Sequence, residues 1–151
     1  MSDKEMLDNL TKLASRFRWM IEEADLSDMM TECEKFPYGS CGDASILLAQ
    51  FLIDAGCDTP IYVIGEIVEP TRLDPTNLRS HAWLELGGYV LDITADGFGP
   101  NIPSVIVTDN SDWHDLFKRF DEHPVAIHLY DDWTASRLGA AYKAIIGLRV
   151  H

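Results

Sequence analysis

Apolar positions recur at helical spacing from Leu7 to Ala24: Leu7, Leu10, Leu13, Ala14, Phe17 and Ile21 share one face. The pattern predicts an amphipathic first helix, with Lys12, Arg16 and Arg18 on its solvated side. Asp25 to Pro37 is polar and reads as a loop region, and Pro37 and Gly39 break regular structure. From Asp43 to Ala55 the chain is apolar on nearly every side, through Ile46, Leu47, Leu48, Ala49, Phe51, Leu52 and Ile53. A helix of that kind is buried all round, and Gly56 is placed to end it.

β-branched and aromatic residues from Ile61 to Val68 predict a strand. Glu69 to Arg79, with Pro70, Asp74, Pro75 and Asn77, reads as a loop beside the chemistry described below. Ser80 to Leu86 and Tyr89 to Thr94 form two strands joined by Gly87-Gly88, a two-residue hairpin connection. Beyond the loop Asp96 to Pro103, a short strand is expected at Ser104 to Thr108 and a helix at Ser111 to Phe120, capped by Ser111. A further strand is expected at Val125 to Tyr130, and a last helix at Thr134 to Ile146, ended by Gly147.

The hairpin carries a testable register. With Gly87-Gly88 as the loop, Leu86 faces Tyr89, Glu85 faces Val90 and Leu84 faces Leu91. Side chains alternate faces with period two. His81, Trp83, Asp92 and Thr94 then share one face, and Ala82, Leu84, Leu91 and Ile93 share the core face. His81 and Asp92 become diagonal cross-strand neighbours, with Cβ atoms roughly 7 Å apart. A one-residue slip would drive one of them into the core.

That pairing gives meaning to Cys41, which stands in Gly39-Ser40-Cys41-Gly42-Asp43-Ala44 at the head of the apolar helix. The partial positive charge of a helix N-terminus favours a thiolate. Cys41 is the candidate nucleophile, His81 the base that takes its proton, and Asp92 the carboxylate that orients the imidazole. The backbone N–H of Cys41 and the side chain of Tyr38 are candidate oxyanion donors. Ser40 and Trp83 are further near-site candidates. Asp96 has the parity of Asp92 but lies past the strand near Gly97 and Gly99, which suits a turn. Asp43 suits the helix start, Glu85 solvent, and His114 a charged surface helix between Asp112 and Asp115.

The stretches Gly39 to Ala44 and His81-Ala82-Trp83-Leu84-Glu85, followed by Asp92, resemble the transglutaminase-like branch of the papain-like fold. The resemblance covers roughly Phe36 to Phe98. It implies an α+β fold in which a buried Cys-bearing helix packs on a small antiparallel sheet carrying His and Asp. It implies amide cleavage, acyl transfer or deamidation without a metal or other cofactor, on a peptide, a protein or a small amide. Some members of that group have lost activity, and the alternative for this chain is a binding module that keeps the scaffold and uses the groove for a protein partner. This chain departs from papain in having no glutamine shortly before Cys41, and it is smaller than most such peptidases.

Composition narrows the alternatives. The 151 residues suggest one domain spanning residues 1–151, and an apolar fraction of 46% is ample for a core. A net charge of −13 argues against nucleic acid and anionic lipid as partners. Three cysteines, Cys33, Cys41 and Cys57, with no C-x-x-C spacing, suit free thiols rather than a disulfide frame or a zinc site. The N-terminus lacks the pattern of a signal peptide, and no run approaches the ~18 apolar residues of a membrane span. A cytoplasmic protein is expected, although an effector acting on a host protein would use the same chemistry.

Overall fold

The computed structural model describes residues 2–27, 29, 31, 33, 36–37, 39–68 and 78–147. Helix α1 (Asp3–Glu23) is capped by Ser2, whose side chain accepts from the Glu5 amide. It buries Leu10, Ala14, Phe17 and Ile21 of the expected stripe and Met20 besides, with Leu7 and Leu13 partly buried. Helix α2 (Cys41–Asp54) is buried along almost its whole length, from Asp43 to Leu52 with Gln50 as a break. Gly56 follows it with φ +98°, the left-handed conformation that ends a helix without a Cβ clash.

Strands β1 (Ile61–Val68), β2 (Leu78–Leu86), β3 (Tyr89–Asp92), β4 (Ile106–Thr108) and β5 (Lys118–Pro124) form one antiparallel sheet in the order β4-β3-β2-β1-β5. The fold is thus mixed α+β. Helix α3 (Asp112–Asp115) precedes β5, and helix α4 (Asp132–Gly147) closes the described chain. Among the described residues, no helix is long and apolar enough to cross a membrane.

The hairpin register is the expected one: Leu84 pairs with Leu91, Glu85 with Val90 and Leu86 with Tyr89. Gly87 and Gly88 both have positive φ, at 59° and 87°, which a type I′ turn requires. The two faces of the hairpin then lead into separate cores. Ala82, Leu84, Leu91 and Ile93 join the main core with α1, α2 and residues of α4 such as Leu138 and Ile145. Trp83 joins Val63 and Phe117 in a second, smaller core on the opposite face, flanked by Val90, Phe98 and Trp113.

Two expectations for the C-terminal third are corrected. The helix expected over Ser111 to Phe120 stops after Asp115, and Lys118–Pro124 is a strand. The strand expected at Val125 to Tyr130 is instead a bend with one 3-10 turn at Ile127–Leu129. Strand β5 is exposed at every position but His123, so it has no buried face and no period-two signal. Ser111 does cap α3, accepting from the His114 amide.

Gly65 shows how tightly the second core is closed. It pairs with His81 across the β1–β2 ladder, beside a register shift in the β1–β5 ladder. A Cβ there would lie 2.9 Å from the Phe117 Cβ and 3.2 Å from the Lys118 carbonyl oxygen. Neither atom is the free end of a side chain, so Phe117 and the strand would have to move. Gly65→Ala is expected to destabilise the protein by about 1–3 kcal/mol, the usual cost of overpacking. An unchanged denaturant midpoint would contradict this account.

Candidate active site

The β2–β3 pairs end at Leu84↔Leu91, and beyond them the strands part. His81 and Asp92 meet there through their side chains. His81 Nε2 lies 2.6 Å from Asp92 Oδ2, with both residues 2% exposed. The other carboxylate oxygen, Oδ1, accepts from the Thr94 amide at 2.9 Å. With Nε2 engaged, Nδ1 is the ring nitrogen left for Cys41.

Cys41 is the first residue of α2 and is half-buried. It lines a cavity of about 180 Å³ together with His81, Arg79, Thr94 and Phe98. Cys41 is among the groups that raise the His81 pKa, after Asp92. The structure therefore brings Cys41 and His81 to one cavity, and His81 and Asp92 to one hydrogen bond.

Ser40 is fully buried, and its hydroxyl donates to the Pro37 carbonyl at 3.0 Å. It makes no side-chain cap on α2. The first amides of the helix, which have no intrahelical partner, are therefore not covered by the residue best placed to cover them. Tyr38 lies outside the described residues, as does 69–77, most of the loop expected beside the site. The remainder of that loop, Leu78 and Arg79, belongs to β2.

The electrostatics of the pair follow from burial and charge together. Burial works against a charged imidazole at His81. Asp92 outweighs it through its charge and its hydrogen bond, Cys41 adds a smaller contribution, and the His81 pKa is pushed up to about 9. Burial also opposes the Asp92 carboxylate. The charge of His81 and hydrogen bonds from His114 and His81 overcome that and hold it well below the usual carboxylate range.

Aromatic rings complete the surroundings of His81. Trp83 is fully buried and stacks near it at 5.9 Å with an interplanar angle of 29°. Phe98 and Trp113 meet it edge-on at 5.1 and 5.5 Å, and Phe117 lies at 5.8 Å. The Trp83 indole N–H has no hydrogen-bond partner among the described residues, consistent with a packing part.

His114 is the residue that sequence reasoning misplaced. It is 2% exposed, not on a charged surface, and its Nε2 lies 2.7 Å from the same Asp92 Oδ2 that binds His81. Its Nδ1 meets the Ser111 hydroxyl. One signal was present: Trp113, His114 and Phe117 lie at i, i+1 and i+4 after a capping serine, which turns them toward one side of a helical turn. Its partner Asp92 is 22 residues away, a distance at which no local pattern operates.

The atoms His81 Nε2, Asp92 Oδ2 and His114 Nε2 lie within 4.8 Å of one another. Both nitrogens sit at hydrogen-bond distance from a single oxygen. The same three atoms are also of the types that bind zinc.

Three other expectations change. Arg18 is not solvated: it is 7% exposed and grips Asp96 through both terminal nitrogens, at 2.7 and 2.9 Å. Asp43 goes beyond the helix start, since Arg137 of α4 donates to both its oxygens at 2.8 and 3.2 Å. Glu85 is paired with Arg119 rather than free in solvent.

No protein-family model, curated protein or solved structure matches this chain. The chemistry of the site rests on its own residues.

Proposed function

We propose that the protein is a cysteine-dependent acyl-transfer enzyme with a papain-like, transglutaminase-like core, acting on an amide or related acyl bond. The observation that carries this reading is the buried His81–Asp92 hydrogen bond of 2.6 Å, with Cys41 at a helix N-terminus on the same cavity as His81. The reactive form is a Cys41 thiolate beside a His81 imidazolium. Sγ attacks the acyl carbon, the carbonyl electrons move to oxygen, and the Cys41 amide stabilises that oxyanion. His81 delivers its proton to the departing amine as the C–N bond breaks, leaving a thioester. Water, an amine or a thiol then attacks the thioester carbon, giving up its proton to His81; the C–S bond breaks and Cys41 leaves as the thiolate, which restores the starting pair and releases the acyl product. Asp92 keeps the imidazole oriented throughout.

A second reading is favoured by the size of the cavity. At about 180 Å³ it is smaller than the ~300–1,000 Å³ of a typical ligand pocket. On that reading the chain is a binding module that keeps the scaffold and uses the groove for a protein partner.

Alkylation by iodoacetamide near pH 6 separates the two. Cys33 is 4% exposed, and burial together with Asp58 pushes the Cys57 thiol up, so both are slow under these conditions. An activated Cys41 is expected to react at least about tenfold faster than a free thiol, whose pKa is ~8.5. Cys41→Ala is expected to abolish that fast phase. Labelling that persists unchanged in the variant would end the activated-thiol reading and leave the binding module.

A further inference from the structure

We infer that His114 is a positioning residue for the proposed reaction, sharing the Asp92 carboxylate with His81 and so setting how strongly Asp92 holds the His81 proton. This rests on the reading of Cys41, His81 and Asp92 as one site. The geometry behind it is a single carboxylate oxygen, Asp92 Oδ2, 2.6 Å from one imidazole and 2.7 Å from the other. All three side chains are at most 2% exposed, so water does not dilute the competition between them.

Each hydrogen bond that a carboxylate accepts stabilises its negative charge locally and weakens its pull on other partners. Asp92 Oδ1 is engaged by the Thr94 amide. Oδ2 is therefore the oxygen that answers to His81, and His114 takes part of it. The ring of His114 is fixed from behind. Its Nδ1 meets the Ser111 hydroxyl, and the same hydroxyl accepts from the His114 amide at 3.2 Å. In a neutral His114 the proton sits on Nε2, facing Asp92, and Nδ1 accepts from Ser111.

The other groups around His81 do not substitute for this. Cys41 reaches it from α2, and Arg79 of its own strand lines the same cavity. Trp83, Phe98, Trp113 and Phe117 are neutral rings. His114 is thus the one group on α3 that can act on the proton affinity of His81 through a hydrogen bond, and it does so without itself lining the cavity.

The test is the titration of His81 by NMR in histidine-labelled protein, alongside the alkaline limb of the Cys41 alkylation profile. In His114→Phe, Asp92 loses one donor and binds the His81 proton more tightly. The His81 midpoint is expected to rise by about one pH unit, with the alkaline limb moving the same way. His114→Gln restores an N–H near Asp92 and is expected to bring the midpoint back toward the native value. Ser111→Ala, a milder change that keeps the histidine, is expected to give a smaller rise, and it decides the matter if the Phe variant does not fold. A folded Phe variant, or failing that the Ser111 variant, with an unmoved His81 midpoint would reduce His114 to packing. Titration needs no catalysis, so this result is independent of whether Cys41 proves to be reactive.

Discussion

Asp92→Asn is expected to slow alkylation of Cys41 near pH 6 by about 10–300-fold, down to the rate of a free thiol of pKa ~8.5. The reason is specific to this site. Both His81 and His114 present Nε2 to the same carboxylate oxygen. An asparagine offers one carbonyl oxygen and one NH₂ group: with the oxygen in the Oδ2 place the NH₂ faces the Thr94 amide donor to donor, and turned round it faces both imidazoles. With the negative charge gone, burial outweighs the smaller Cys41 contribution at His81 and drives it toward the neutral form, so the imidazolium that would support a thiolate is lost. The stability profile should change in parallel. In the native protein, the His81 pKa rises from an ordinary 6.5 to about 9 on folding. Its contribution, on the order of 3 kcal/mol, is full below about pH 6.5 and fades as pH climbs through 9. The depressed Asp92 pKa adds stability that is present above the usual carboxylate range and lost toward strong acid. Denaturation midpoints measured from pH 6 to 9.5 should fall for the native chain and stay nearly level for Asp92→Asn. A parallel fall in both would show that another group governs that range.

The second large effect is expected at Arg18, far from Cys41 in sequence. Its Nη1 donates to the Ile93 carbonyl at 2.8 Å, to Asp96 at 2.7 Å and to the Ser104 carbonyl at 3.1 Å, while Nη2 holds the other Asp96 oxygen. Its guanidinium also lies 4.6 Å from the centre of the Phe36 ring. One side chain from α1 thus fixes the turn that carries Gly97 and Phe98, two residues of the cavity wall, and touches the segment just before Cys41. Arg18→Met leaves Asp96 and two carbonyl oxygens without their donor. The expected loss is about 2–4 kcal/mol, somewhat below that of a fully sealed pair because the Asp96 side chain remains one-fifth exposed. Removing the carboxylate as well, in Arg18→Met with Asp96→Leu, should restore part of it. Thermal melts of both variants decide this, and a double variant no better than the single one would show that the carbonyl contacts, not the ion pair, dominate.

How far the sequence could be read depended on whether each element has a buried face. The Gly87-Gly88 turn dictates its register through backbone conformation. The alternation of His81, Trp83 and Asp92 against Ala82, Leu84 and Leu91 is visible because both faces are packed. The helix of Cys41 is visible because it is apolar all round. Strand β5 escaped notice because its side chains point almost entirely into solvent, and the expected helix ran on into its start, as far as Phe120. The readings that changed at single residues share one cause. Arg18, Glu85 and His114 each looked solvated until a partner 78, 34 or 22 residues away engaged it, and Asp43, placed at the helix start as expected, is also held by Arg137, 94 residues on. Helical or strand periodicity reports burial of apolar groups, and it is silent on polar groups buried in pairs.

The sheet separates the two halves of the candidate site. Cys41 rides on a helix rooted in the main core, whereas His81 leans on the aromatic cluster across the sheet. Cys41 and His81 are therefore supported mainly by different layers, which touch where the Ser45 hydroxyl donates to the Ala82 carbonyl, one residue from His81. A substitution in the main core is expected to act first on the thiol, and one in the aromatic layer first on the imidazole.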